Sequence, residues 1–115
     1  MKHVLVLVAS DPRRSERAAE GFRVADGLSI ADDLTVAVLV CGAAGEAFSE
    51  PEGNATRWQD GSLLFRHAAS LRGRGVPIHV AGVARPALGK EMGLLSVSEE
   101  DAANLRHGVD VAIEF

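Results

Sequence analysis

Gly75-Val76-Pro77-Ile78-His79-Val80-Ala81-Gly82-Val83 is the stretch that decides the fold. Its leading glycine is typical of the end of a helix, because glycine readily adopts the left-handed backbone that stops one. A buried strand follows over residues 76–83. The strand ends at Ala81-Gly82, and the carboxyl ends of strands are where α/β proteins usually place their catalytic or binding residues. Because alanine has no reactive group, this stretch predicts a fold more clearly than a reaction.

Two earlier apolar runs are also typical of buried strands. Residues 4–9 and 34–40 are continuous stretches rich in valine and leucine, without polar alternation. That pattern is typical of strands covered on both faces in a parallel sheet. Between them the sequence predicts a helix over 12–30, with Asp11 as its N-cap and Pro12 at its first position.

A second helix is predicted over 61–72, with Asp60 as its cap. Before it lies a long stretch, 43–59, whose glycines and proline predict irregular structure. Phe48 and Trp58 lie in that stretch, and long loops in compact domains are often functional. Two interpretations carry equal weight: the aromatic residues form a lid or a subunit contact, or they pack back onto the sheet.

The last third of the chain predicts shorter elements. Residues 85–89 allow one helical turn, and 92–97 can form a short extended segment. Ser98 can cap a helix whose first turn is acidic, which suits the positive end of the helix dipole, and Gly108 ends it. Residues 109–115 alternate between apolar and polar side chains, which indicates a last strand near the edge of the sheet.

This order of elements predicts a three-layer α/β/α sandwich with a mainly parallel sheet of four to five strands. The 115 residues fit a single domain over 1–115. Right-handed crossovers would place the ends of the strands at one edge of the sheet. We call that edge the rim, and define it by Ser10, Cys41-Gly42 and Ala81-Gly82.

Composition limits the classes of partner. The formal net charge is −4, so no overall basic field favours nucleic acid or an anionic membrane. No run approaches the roughly 20 apolar residues of a membrane span, and residues 4–9 lack a signal-peptide cleavage site. The single cysteine, Cys41, cannot form an internal disulfide, which favours a cytoplasmic location.

The chain resembles the DsrE-like family, which includes DsrE, DsrF and the TusD subunits of sulfur relay. The resemblance rests on Ser10-Asp11-Pro12 after the first strand, Val40-Cys41-Gly42 after the second, and 78–83 in the third. It implies a cytosolic α/β/α protein that forms trimers or hexamers, with a dimer as an alternative. It also implies a protein partner in sulfur metabolism.

In the sulfur-carrying members of that family, the third strand ends in a phrase like Val-Cys-Gly, and the cysteine bears the persulfide. The matching position here is Ala81. The resemblance therefore implies a member without the carrier cysteine. Cys41 ends the preceding strand, so it can lie on the same rim but does not match the carrier position.

Few residues carry candidate chemistry. Cys41 is the only thiol, and it is either a nucleophile or a small apolar residue that closes a buried strand. Ser10 and Asp11 could hold an anion at a helix start or act as a plain cap. Gly42 begins a glycine-spaced turn that lacks the remaining features of a nucleotide-binding motif. His79 can reach the rim as an acid or base, or can be a satisfied core residue.

No spacing of histidines or carboxylates predicts a metal site, and no cofactor is expected. The leading hypothesis is a non-catalytic subunit that binds a small molecule or assembles with a partner at the rim. Its ligand contacts would be the six positions Ser10, Asp11, Gly42, His79, Ala81 and Gly82. One alternative is persulfide transfer through Cys41, and another is a flavodoxin-like protein that binds a nucleotide or flavin; whether the protein is an enzyme stays open.

Overall fold

The computed structural model describes residues 1–50, 57–82 and 93–115. These ranges contain five strands and four helices. In chain order they are β1 (Lys2–Val8), α1 (Arg17–Leu28), β2 (Leu34–Val40), α2 (Gly42–Phe48), α3 (Gly61–Gly73), β3 (Ile78–Ala81), β4 (Leu94–Val97), α4 (Glu99–His107) and β5 (Val111–Glu114).

The five strands form one parallel sheet in the order β4-β3-β2-β1-β5. From β1 to β4 each strand is added on the same side of the preceding one, whereas β5 returns to the far edge beside β1. Right-handed crossovers in opposite directions lie on opposite faces of a sheet. Helices α1 and α3 therefore cover one face, and α4 crosses the other. This confirms the predicted α/β/α sandwich.

The apolar side chains of β1 and β2 contribute to the core on both faces of the sheet. Val6, Val8 and Val38 belong to the larger core cluster under α1, α2 and α3, whereas Leu5 and Leu39 belong to a smaller cluster under α4. Because both faces are covered along these strands, neither one shows polar alternation. This is the physical reason that the continuous runs predicted central strands correctly. The alternating last strand is also where it was expected, at the edge of the sheet.

The start of the first helix differs from the prediction. Helix α1 begins at Arg17 rather than Pro12 and ends at Leu28 rather than residue 30. The Asp11 carboxylate instead caps a short turn that precedes α1. Its Oδ1 accepts the backbone N–H (2.9 Å) and the Nε–H (2.8 Å) of Arg13, and its carbonyl oxygen accepts the N–H groups of Arg14 and Ser15. This turn ends before α1 begins, and Ser15 Oγ accepts the N–H of Arg17 at 3.0 Å.

The stretch after β2 also differs, because its first part is helical. Helix α2 (Gly42–Phe48) replaces the expected irregular structure, although residues 51–56 lie outside the described ranges. Its glycines lower the intrinsic helix propensity, but four of its seven residues are buried, so tertiary packing outweighs propensity. Asp60, expected to cap α3, adopts a left-handed backbone (φ 54°), and its side chain makes no capping hydrogen bond.

Phe48 and Trp58 pack into the core. Phe48 is fully buried and Trp58 is 5% exposed. The ring centroids of these two residues are 5.0 Å apart, and Trp58 stacks on Phe65 of α3 at 5.8 Å. Of the two interpretations of this stretch, the aromatic pair therefore packs back onto the sheet.

The third strand is shorter than predicted. β3 covers Ile78–Ala81, and the predicted residue 83 lies outside the described ranges, as do 85–89 and residue 92. Strand β4 (Leu94–Val97) falls within the predicted extended segment. Ser98 caps α4 as expected, because its Oγ accepts the backbone N–H of Asp101 at 3.0 Å. Among the described residues no helix is both long and apolar enough to cross a membrane.

Candidate functional site

The carboxyl ends of β1, β2 and β3 meet at one rim, as the sequence predicted. Val8, Val40 and Val80 are in register across the three strands. The residues that follow them therefore emerge at the same edge of the sheet. This brings together Ser10, Asp11, Cys41, Gly42, Ala81 and Gly82.

The strand order places a switch point at this rim, between β1 and β5, where the direction of strand addition reverses. Open α/β sheets usually bind ligands in the crevice at such a point. Here the crevice is occupied by the chain itself. The backbone N–H groups of Ala9 and Ser10 both donate to the carbonyl oxygen of Phe115, at 2.8 and 3.1 Å. The donors that would otherwise face a bound anion are already used.

Other backbone donors at the rim are also engaged within the chain. The Gly82 N–H donates to the Val97 carbonyl at 3.2 Å, and the Ala44 N–H donates to the Ala9 carbonyl at 3.3 Å. Asp11 pairs with Arg13, whose guanidinium also contacts Glu50. Hydrogen bonding to Arg13 outweighs burial and lowers the pKa of Asp11, so this carboxylate stays charged and would repel an anion.

Cys41 lies beneath α4. It is 8% exposed, and its Sγ accepts a hydrogen bond from Nη2 of Arg106 at 3.6 Å. Burial raises the pKa of the Cys41 thiol above its usual range, and the positive charge of Arg106 offsets this only in part. The thiol therefore stays largely protonated at neutral pH, whereas nucleophilic cysteines need a lowered pKa.

Helix α4 divides the second face of the sheet into two parts. Ala102 packs in the same small cluster as Cys41 and Ala81, and Glu99 reaches Gly82: a Cβ added there would lie 2.7 Å from the Glu99 carboxylate. These residues face the rim. Asp101, Asn104, Leu105 and Gly108 follow at helical spacing and face the opposite half of the sheet.

In that half lies an open groove of about 500 Å³. We call it the α4 groove, and define it by six of its lining residues: Thr35, Ala37, His79, Asp101, Asn104 and Leu105. His79, which was expected either to reach the rim or to be a satisfied core residue, lines this groove, two residues before Ala81 and on the same face of the sheet. Its Nδ1 is buried with no hydrogen-bond partner in the described structure, and burial lowers the pKa of the imidazole.

The sequence did not point to Arg106, Asp101 or Asn104 as site residues. Arg106 is far from Cys41 in the chain, so only the fold brings the guanidinium to the thiol. The helical spacing of residues 101, 104, 105 and 108 is visible in the sequence. That these residues line a groove becomes clear only from the fold, which shows the face of the sheet that α4 crosses. In the described ranges, no group of three or more His, Cys, Asp or Glu side chains could hold a metal ion.

The strand order and rim define a parallel α/β/α sandwich whose order is not the 2-1-3-4-5 of flavodoxin-like folds. Among solved structures, the chain is similar to the YchN protein from E. coli, with a TM-score of 0.73 and 17% sequence identity over 100% of both chains. The chain therefore has a DsrE-like fold. No protein-family model matches it, and no curated protein sequence does.

Proposed function

We propose that this protein is a small cytosolic DsrE-like subunit that binds a small molecule or assembles with a protein partner, without carrying sulfur covalently. The observation that supports this most directly is Ala81 at the carboxyl end of β3. The resemblance to the DsrE-like family implies a persulfide-bearing cysteine at that position, and a methyl group cannot hold sulfur.

The environment of the one thiol supports the same proposal. Persulfide transfer requires an accessible thiolate that attacks the sulfane sulfur of a donor, which then leaves as a thiol. Cys41 is buried under α4, and its pKa is raised rather than lowered. Both features slow such an attack.

The second part of the proposal concerns assembly. The family resemblance implies a trimer or hexamer, with a dimer as the alternative, and a partner in sulfur metabolism. Strand β4 is the outer strand at one edge of the sheet, and its Leu95 side chain is 51% exposed. An exposed apolar residue on an edge strand supports burial against another chain. Light scattering that gives the mass of one chain at micromolar concentration would contradict the homo-oligomer.

Intact mass after incubation with a persulfide donor tests the first part. Wild type and Cys41→Ser are compared, and after full unfolding the wild-type thiol serves as the positive control for the donor. We expect no added sulfur on either folded protein and one added sulfur on the unfolded wild type. One sulfur on the folded wild type alone would show that Cys41 is a relay site.

Persulfide transfer through Cys41 is the second candidate, and one observation favours it. Arg106 places a positive charge 3.6 Å from Sγ, where it would stabilise a thiolate or a persulfide anion. This candidate requires α4 to move away from the rim during loading. It predicts that Arg106→Met abolishes the loading that the wild type shows.

A further inference from the structure

We propose that the α4 groove binds a small, flat organic cation, such as an amidine or a protonated amino-heteroaromatic ring. This inference rests on the proposed binding function and deepens it, because it names a ligand class. It also moves the ligand site from the rim to the opposite side of α4.

The topology explains why the groove exists. Helix α4 is the only described helix on its face of a five-stranded sheet, and it has nine residues. Nine helical residues span about 14 Å, whereas five strands span about 20 Å in width alone. Helix α4 therefore leaves part of this sheet face uncovered, and the volume of the groove there, about 500 Å³, is within the range of small-molecule sites.

The shape of the groove favours a flat ligand. Its floor is sheet, with the short side chains of Thr35 and Ala37 on β2 and the imidazole ring of His79 on β3. Its wall is the α4 face that carries Asp101, Asn104 and Leu105. A planar ring can lie on the floor while its edge reaches the helix.

The charges of the groove favour a cation. Apart from two imidazoles, Asp101 is the only ionisable side chain among the described lining residues. It makes no ion pair in the described structure. Asn104, one turn further along the same face, adds an amide oxygen as a second acceptor.

No described lysine or arginine side chain lines the groove. A second carboxylate is bonded to one of its lining residues, because Oδ2 of Asp110 accepts the backbone N–H of His3 at 2.7 Å. Burial keeps His79 neutral at pH 7, so the floor does not repel a cation.

Three probes of nearly equal shape test the charge preference: benzamidine, benzamide and benzoate. Each is titrated into the ¹⁵N-labelled protein at pH 7, and amide shifts are followed by NMR. We expect benzamidine to shift the amides of Ala37, His79 and Leu105, to bind about tenfold more tightly than benzamide, and to outcompete benzoate. Equal binding of benzoate, or shifts confined to the rim, would overturn the proposal.

Two variants test the position. Asp101→Asn should weaken benzamidine binding about tenfold, and Glu100→Gln is its matched control, because Glu100 lies in the same helical turn but does not line the groove. Ala37→Leu should fill the floor and abolish binding. Unchanged benzamidine binding in both Asp101→Asn and Ala37→Leu would show that the α4 groove is not the ligand site. The proposed binding function could then still hold at another site.

One competing occupant is distinguishable. If a second copy of the chain covers this face, light scattering will show a dimer or larger species, and the groove amides will be protected without any probe. Protection that Ala37→Leu removes together with the dimer would overturn the small-molecule site. Neither outcome affects the persulfide experiment. Failure of the cation site in the α4 groove can therefore be told apart from failure of the proposal that the protein does not carry sulfur.

Discussion

The guanidinium of Arg106 donates a hydrogen bond to the sulfur of Cys41 across 3.6 Å, from the last turn of α4 to the end of β2. The charge acts against burial, which is the larger influence on the thiol. The rate of alkylation by iodoacetamide should therefore rise with pH to a midpoint above the usual 8.5 or so of a free cysteine.

Replacing Arg106 with methionine should move that midpoint further upward, because the methionine keeps the apolar cover and removes the charge. Arg23→Met, on the exposed surface of α1, is the control and should leave the midpoint unchanged. A wild-type midpoint at or below 8.5 would show that Cys41 is activated, which favours the carrier hypothesis.

Trp58 is the only tryptophan of the chain, so its fluorescence reports one position. Its indole is buried between Phe48 and Phe65, so the folded protein should emit at short wavelength and resist quenching by acrylamide. Phe48→Ala should lower the free energy of unfolding by about 3–5 kcal/mol, measured by denaturant titration of that fluorescence. An emission wavelength typical of a water-exposed indole in the folded protein would instead favour the interpretation that Phe48 and Trp58 form a lid.

Gly82 and Gly27 form a contrasting pair of alanine substitutions. Gly82 has φ +74°, and an added Cβ would lie 2.7 Å from the Glu99 carboxylate. Gly82→Ala should therefore cost at least about 1–2 kcal/mol of stability. Gly27 lies inside α1 with nothing within 4 Å of an added Cβ, so Gly27→Ala should stabilise by about 0.5–1 kcal/mol. Equal changes in melting temperature would contradict both assignments.

His79 should make stability depend on pH near neutrality. Burial lowers its pKa in the folded protein, so the unfolded chain binds more protons between that value and the ordinary one of about 6.5. The free energy of unfolding should therefore be highest above about pH 7 and should decrease as the pH falls through about 6.5. The decrease should stop once the pH is below the pKa of His79 in the folded protein.

His79→Gln should flatten that decrease in denaturant titrations between pH 7.5 and 5.5. His107→Gln, at an exposed position at the end of α4, is the matched control and should keep it. A His79→Gln curve that parallels the wild type would show that His79 does not carry the pH dependence.

The sequence predicted the central strands because β1 and β2 are buried on both faces, and only apolar side chains satisfy that condition. It also predicted the Ser98 cap, where the hydroxyl and the backbone N–H it binds are three residues apart. Both signals are local. The rim followed from the parallel order of strands, because parallel strands end at the same edge.

What the sequence did not predict depends on contacts between distant residues. Asp11 was expected to cap the first helix, but it caps a short turn, and its partner Arg13 also pairs with Glu50, which is far along the chain. Helix α2 forms because packing outweighs the weak propensity of its glycines. The filling of the switch point by Phe115, and the groove beside α4, follow from the return of β5 to β1, which no local pattern encodes.

The pairing of β1 has a consequence for the order of folding. Val4 lies opposite Val36 on one side and opposite Val111 on the other, and the second partner comes far later in the chain. Closing the longer loop costs more chain entropy, so β1 should pair with β2 before β5 arrives. Until then one side of a strongly apolar strand stays unpaired, which is the condition that leads to intermolecular strand pairing. Pulse-labelled hydrogen exchange should protect the β2 amides first, and conditions that delay β5 should promote aggregation through the open side of β1.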